Sequence, residues 1–304
     1  MLHLSDLPFE VLVNITSFLS TRDTLNLSIC SKHFCDLPLV ARFTKKVDFC
    51  RIYELSYFNS FTNVRYGLPV KIIFPESLRI LRWYSTEHLH CIPNSVTHLK
   101  IGFFYNKPLP DLPDSLIHLK LGFHYDQVFT RFPASLFYLR LGYQYSQLLP
   151  KIPNSLRYLV LNSHHNKISQ NLDFLTHLEF GVCYNSSLSK LPTSLASLKL
   201  GHAYSKILPP LPESLTYLEL GHYYTHPLPK LPASLLSLKL GLGYNHRLPS
   251  LPNSLTHLEL GKKYNQQLPQ LPLSLKYLIV DKSFKLPDLP PNTVVSEIVK
   301  VCCK

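Results

Sequence analysis

Histidine and cysteine are the side chains here best able to hold a metal or attack a substrate, and the chain has 15 and 7 of them. Their spacing organises neither chemistry. Cys30, Cys35, Cys50, Cys91, Cys183, Cys302 and Cys303 contain no CxxC pair of the zinc-site kind. His98 and His118 could be neighbours, but no Cys or carboxylate joins them in a ligand pattern. The glycines stand singly, so no Gly-rich loop cradles a phosphate. Cys302 and Cys303 form no prenylation box, because no Cys lies four from the end. The sequence thus asks for no cofactor, no metal and no catalytic group. What remains is periodic Lys, Glu, His and Tyr, a chemistry of binding.

Those residues need a scaffold, and the scaffold is a repeat. Pro recurs at Pro93, Pro113, Pro133 and Pro153, then at Pro192, Pro212, Pro232, Pro252 and Pro272, each followed by Ser two residues later. The spacing is 20 residues, except for 39 between Pro153 and Pro192. One unit reads LPxSLxxLxLGxxYxxxLPxLP. Its LxL end alternates as a short strand with one buried face. The LPxLP half lacks the N–H groups for a helix or a central strand, so it returns in extended form. The result is a thin solenoid of parallel strands about 4.8 Å apart. Eleven strands are expected: one ending near Trp83, nine ending from Ile101 to Leu260, and one ending at Val280. Ile298–Val301 are read as a worn final strand that caps the array.

Two columns fix the register. Tyr105, Tyr125, Tyr145, His165, Tyr184, Tyr204, Tyr224, Tyr244, Tyr264 and Phe284 fall at one position and are expected as a buried aromatic ladder. Eight glycines, from Gly102 to Gly261, follow the strand, which predicts positive φ or a close backbone approach there. Val47-Asp48-Phe49 and Ile72-Ile73-Phe74 are candidates for divergent strands. Residues 46–70 are therefore read as a linker or divergent repeats ahead of a solenoid over 71–304.

Alternation turns one set of strand residues outward. The first outward column runs His98, His118, Tyr138, Tyr158, His177, Ser197, Tyr217, Ser237, His257, Tyr277. The second runs Lys100, Lys120, Arg140, Val160, Glu179, Lys199, Glu219, Lys239, Glu259, Ile279. Tyr and Arg are favoured at interfaces, so this face is the candidate partner surface, with His98, Lys100, His118, Lys120, Tyr138, Arg140, Tyr158 and Tyr217 its leading residues. From Glu179 to Glu259 the signs alternate and the charges can satisfy one another, each pair contributing about 0.2–1 kcal/mol. Lys100, Lys120 and Arg140 are like charges on successive rungs, which points that end toward an acidic partner.

Composition narrows the class. Of 304 residues 45% are apolar and 16% charged, too few charges for a disordered chain. No apolar run approaches the roughly 18 residues of a membrane span. The first residues lack the basic-then-apolar order of a secretion signal. The odd, scattered cysteines fit the reducing cytosol or nucleus. Residues 1–90 carry a net +2 and residues 91–304 a net +10. A basic solenoid can bind nucleic acid through phosphates, but carboxylates interrupt this face and no nucleic-acid motif is present.

The first 45 residues follow another rule. Leu4-Ser5-Asp6-Leu7-Pro8 starts a helix with a polar cap and an early Pro. Val11, Leu12, Ile15, Phe18 and Leu19 then form one apolar face. After Ser20-Thr21-Arg22-Asp23 come one or two further short helices.

The repeat resembles the FNIP repeat, in which a Leu-rich strand leads through Gly to an aromatic-Asn pair and an apolar-Pro segment. Tyr105-Asn106, Tyr184-Asn185, Tyr244-Asn245 and Tyr264-Asn265 carry that pair. The unit is also similar to the short leucine-rich repeat with LPxLP on its back, with the Asn one position later. Some bacterial proteins with that repeat carry a separate C-terminal ligase domain, and none is expected here. Leu7-Pro8, Glu10, Leu12, Ile15, Phe18-Leu19, Asp23, Leu27, Cys30-Ser31 and Phe34 together resemble an F-box. That resemblance implies docking to the Skp-type adaptor of a cullin ubiquitin ligase through Leu7, Pro8, Leu12, Ile15 and Leu19. It also implies that the solenoid acts as the substrate receptor. F-box and FNIP repeats occur together in slime moulds and in giant viruses of amoebae, which implies a source of that kind. The competing reading is a stand-alone binding solenoid whose first helices only cap its end.

Overall fold

Twenty-residue units with a turn at one corner and a glycine at the next stack strand on strand. The computed structural model describes residues 46–52, 55, 58–67, 73–162 and 172–297, together with Val11, Ile15, Leu19 and Asp23. The chain divides into two units, residues 1–127 with 133–136 and residues 128–132 with 137–304. Each is a parallel β-solenoid among the described residues.

The first unit holds β1 (Val47–Asp48), β2 (Asn63–Tyr66), β3 (Ile80–Trp83), β4 (His98–Ile101) and β5 (His118–Lys120), each paired in parallel with the next. The second holds β6 (Tyr138–Arg140), β7 (Tyr158–Leu161), β8 (His177–Phe180), β9 (Ser197–Lys199), β10 (Tyr217–Glu219), β11 (Ser237–Lys239), β12 (His257–Glu259), β13 (Tyr277–Val280) and β14 (Val294–Glu297). These too pair in parallel and in chain order. The middle residue of each three-residue strand is a Leu buried in the core, from Leu119 to Leu258.

The corner residues explain the repeat. At PxSL the Leu amide bonds the Pro carbonyl, as from Leu116 to Pro113 at 3.0 Å and from Leu235 to Pro232 at 3.2 Å. The Ser hydroxyl then donates to a carbonyl one rung back: Ser115 to Val96, Ser194 to Leu175, Ser234 to Leu215 and Ser254 to Leu235, all at 2.6–2.7 Å. Opposite this corner the tyrosines stack. Tyr184, Tyr204, Tyr224, Tyr244 and Tyr264 follow one another at 6.3 Å between ring centres, within 14° of parallel. Tyr105 and Tyr125 repeat the geometry in the first unit. These rings are buried, which bears out the ladder; His165 lies outside the described residues.

Of the two readings of the glycine column, close backbone approach holds and positive φ does not, since no described glycine has positive φ. A Cβ on Gly201 would lie 1.8 Å from the Gly181 carbonyl oxygen, and one on Gly241 1.8 Å from that of Gly221. Only hydrogen fits between rungs there. Other expectations need correction. Ile73 and Phe74 are not strand residues. The Ile73 carbonyl instead accepts the Tyr66 hydroxyl at 2.6 Å, and the strand of that rung is β2. Of the Val47-Asp48-Phe49 candidate, Val47 and Asp48 form β1, while Phe49 begins a 3-10 turn, Phe49–Arg51. Beyond β13 the pairing strand is β14 at Val294–Glu297, ahead of the expected Ile298–Val301, which lie outside the described residues.

Candidate partner-binding face

Every strand turns two side chains away from the Leu core, and pairing in register lines them into columns. In the first unit the inner residues Leu81 and Leu99 are buried, while His98, Lys100, His118 and Lys120 are half-exposed. His98 and His118 are indeed neighbours, stacked at 4.7 Å and 16°. Burial holds both imidazoles below their ordinary pKa of 6.5; Arg82 adds to this at His98, and His98 adds to it at His118. The pair is therefore held toward its neutral form.

The charged column of this unit is longer than the sequence suggested. Register places Asp48, Arg65, Arg82, Lys100 and Lys120 on successive rungs. Asp48 closes the column with a two-point ion pair to Arg65, whose hydrogen bond holds the carboxyl below its usual range. Arg82 donates to the Asn63 amide oxygen, and the Lys100 ammonium lies 5.3 Å over the Tyr84 ring. Beyond Arg65, which is paired to Asp48, three further cationic side chains follow one another, Arg82, Lys100 and Lys120. Sequence reasoning missed Arg82 because its rung lacks the Gly and Tyr that mark the later ones. Arg140 belongs to the second unit.

The segment after β4 carries a surface the sequence reading also passed over. Phe103 and Phe104 are exposed to 50% and 69%. Phe103 stacks on Phe123 at 4.7 Å, and Phe104 on His124 at 5.6 Å. The signal was present in GFFY and GFHY, where both variable positions of GxxY are ring residues.

In the second unit Tyr138 and Tyr158 lie 6.2 Å apart at 34°, and His177 stacks on Tyr158 at 3.9 Å. Tyr217 donates to Glu219 at 2.8 Å, and burial with that carboxylate pushes its phenol well up. The expected charge alternation holds from Lys199 onward: Lys199 reaches Glu219 at 3.6 Å, and Lys239 bridges Glu219 at 3.6 Å and Glu259 at 3.4 Å. It fails at its first member, since Glu179 makes no ion pair among the described residues. Val160 departs as well; it belongs to the outward column but is 5% exposed. It forms part of a hollow of about 260 Å³ lined also by Tyr138, Tyr158, His177, Glu179, Ser197 and Lys199.

Of the five expected adaptor contacts, Leu7, Pro8 and Leu12 lie outside the described residues. Ile15 is helical and half-exposed; Leu19 is at a bend and exposed. Nowhere among the described residues do three His, Cys, Asp or Glu side chains gather as metal ligands.

Comparison with known proteins accords with this geometry. The model of the FNIP repeat matches residues 105–144 and 244–283, and that of the F-box domain matches residues 4–45. Among solved structures, CroV588, a circular leucine-rich-repeat protein, aligns with 29% identity and a TM-score of 0.53 over 79% of this chain and 50% of its own. The chain thus spans about half the length of that protein. YopM of Yersinia pestis, a leucine-rich effector, aligns with 26% identity and a TM-score of 0.52 over 75% of this chain and 73% of its own. YopM of Yersinia enterocolitica WA-314 shares the fold, with 23% identity and a TM-score of 0.52 over 77% and 58%. No curated protein sequence matches the chain. The chain, with its F-box domain followed by FNIP repeats, is an F-box and FNIP repeat-containing protein.

Proposed function

We propose that this chain is a non-catalytic substrate receptor. Its F-box docks the Skp-type adaptor of a cullin ubiquitin ligase, and the outward strand face holds the protein to be modified. The mechanism is proximity: two binding surfaces on one chain raise the target's effective concentration at the ligase. The observation that carries the reading is the F-box at residues 4–45 on the same chain as ordered columns of half-exposed His, Tyr, Lys and Arg. Leu7, Pro8, Leu12, Ile15 and Leu19 are the proposed adaptor contacts. The run Arg82, Lys100, Lys120 favours an acidic stretch on the target, because three side chains of one sign on successive rungs complement a negative segment.

Purified Skp-type adaptor pulled down by the full chain and by a Leu7→Ala/Pro8→Ala variant tests the adaptor half. Retention by the wild-type chain and loss by a variant that still folds is the expected result. A folded wild-type chain that retains no adaptor overturns the ligase reading and leaves a binding solenoid with capped ends.

A further inference from the structure

The hollow at Val160 is a break in a pattern, and the break has a chemical sign. On the charged column the neighbouring rungs carry Arg140 on one side and Glu179 on the other, with Val160 between them in register. The short Val opens the hollow and is also the wrong residue for Glu179, whose carboxylate would be met there by a lysine if the alternation continued. On its other side Lys199 is committed elsewhere, 3.6 Å from Glu219 and over the Tyr217 ring at 5.6 Å. From Glu179 to Glu259 the column has three carboxylates and two lysines. The lysines are both satisfied within it, so the surplus negative charge sits on Glu179, at the hollow.

His177, Ser197 and Lys199 are the other polar residues lining the hollow, and the Lys199 ammonium is turned to Glu219. The Thr176 hydroxyl lies 2.9 Å from His177 Nδ1 and 3.3 Å from the Arg157 carbonyl, which fixes the ring beside the hollow. Burial holds this imidazole below 6.5, toward its neutral form. Tyr138 and Tyr158 supply ring surface, against which a guanidinium stacks favourably.

We propose that this hollow is a binding pocket for a basic side chain of the target, an arginine or lysine whose stem lies on Tyr138 and Tyr158 and whose charge meets Glu179. The proposal rests on the strand face being the target-binding surface. It assigns that face a second determinant, opposite in sign to the cationic run at Arg82, Lys100 and Lys120.

A phage-displayed random peptide library selected on the full-length chain tests it. Enriched peptides should carry an Arg or Lys beside an apolar residue, and should weaken roughly tenfold or more on Glu179→Gln, as loss of a charge-assisted hydrogen bond predicts. Val160→Lys supplies the missing internal partner and should abolish their binding, with circular dichroism confirming that the fold is kept. Glu259→Gln removes a carboxylate already paired to Lys239 and should leave their affinity unchanged. Peptides without a basic residue, basic peptides indifferent to Glu179→Gln, or no enriched peptide at all would each overturn the pocket. The adaptor pull-down on the same preparations separates the readings. Adaptor retained without basic-peptide selection removes this pocket alone, and basic-peptide binding without adaptor retention removes the ligase role alone.

Discussion

At Gly221 one hydrogen atom separates a packed rung from a collision. A Cβ there would lie 1.9 Å from the Gly201 carbonyl oxygen, which is backbone and cannot turn aside. Gly221→Ala should therefore destabilise the solenoid by about 1–3 kcal/mol, as overpacking does, measured by urea unfolding. Gly67→Ala, with nothing within 4 Å of the added carbon, should be close to neutral. The tyrosines invite a similar contrast. The Tyr105 hydroxyl accepts from the Leu89 amide at 3.3 Å and donates to the Pro108 carbonyl at 3.1 Å. The Tyr204 hydroxyl is buried without a partner. Tyr105→Phe should thus cost roughly 1 kcal/mol and Tyr204→Phe nothing or less. Tyr204→Ala should cost about 3–5 kcal/mol through the gap left in the ladder.

Strands and corners carry the next scale, where the imidazoles make stability depend on pH. His98, His118, His177 and His222 are all held below 6.5, chiefly by burial. The unfolded chain takes up these protons first. Stability is therefore full above pH 6.5 and falls as pH drops through the window between 6.5 and the folded values. The depressed carboxyls of Asp48 and Asp281 titrate below 3.8 and stay out of that window. The urea midpoint should be lower at pH 5.5 than at pH 7.5, and His98→Asn/His118→Asn should narrow the difference. An equal or higher midpoint at pH 5.5 would contradict the assignment.

This is also the scale at which the sequence was most legible. All eleven expected strands, β3 to β13, are present, because each carries the Leu alternation and most carry the Pro-Ser corner that sets their phase. β2 went unread because NVRYG has neither the corner nor the Leu pair, and its burial comes from Val64 and Tyr66. The role of Ser was equally hidden: hydrogen bonding to a carbonyl one rung back leaves no mark on hydrophobic periodicity. On the candidate face the columns were readable by alternation. The orphaned Glu179 was not, since a charge pattern in one dimension does not say which neighbour each lysine chooses.

For the chain as a whole, the two proposed functions are assigned to separate residues. Lys100→Glu/Lys120→Glu should weaken capture of an acidic target and leave adaptor retention intact; Leu7→Ala/Pro8→Ala should do the reverse. Loss of both activities from either variant, with the fold preserved, would argue against separate surfaces. Within each unit the bonds of Ser, Gly and Tyr run from one rung to the next, about one repeat away in sequence, and a rung needs only compatible neighbours. In-frame duplication or deletion of one coding unit therefore adds or removes a complete rung with its Ser bond, its ring and its outward pair already in register. The captured target can change over generations by the copying of whole rungs, without any new residue having to be invented.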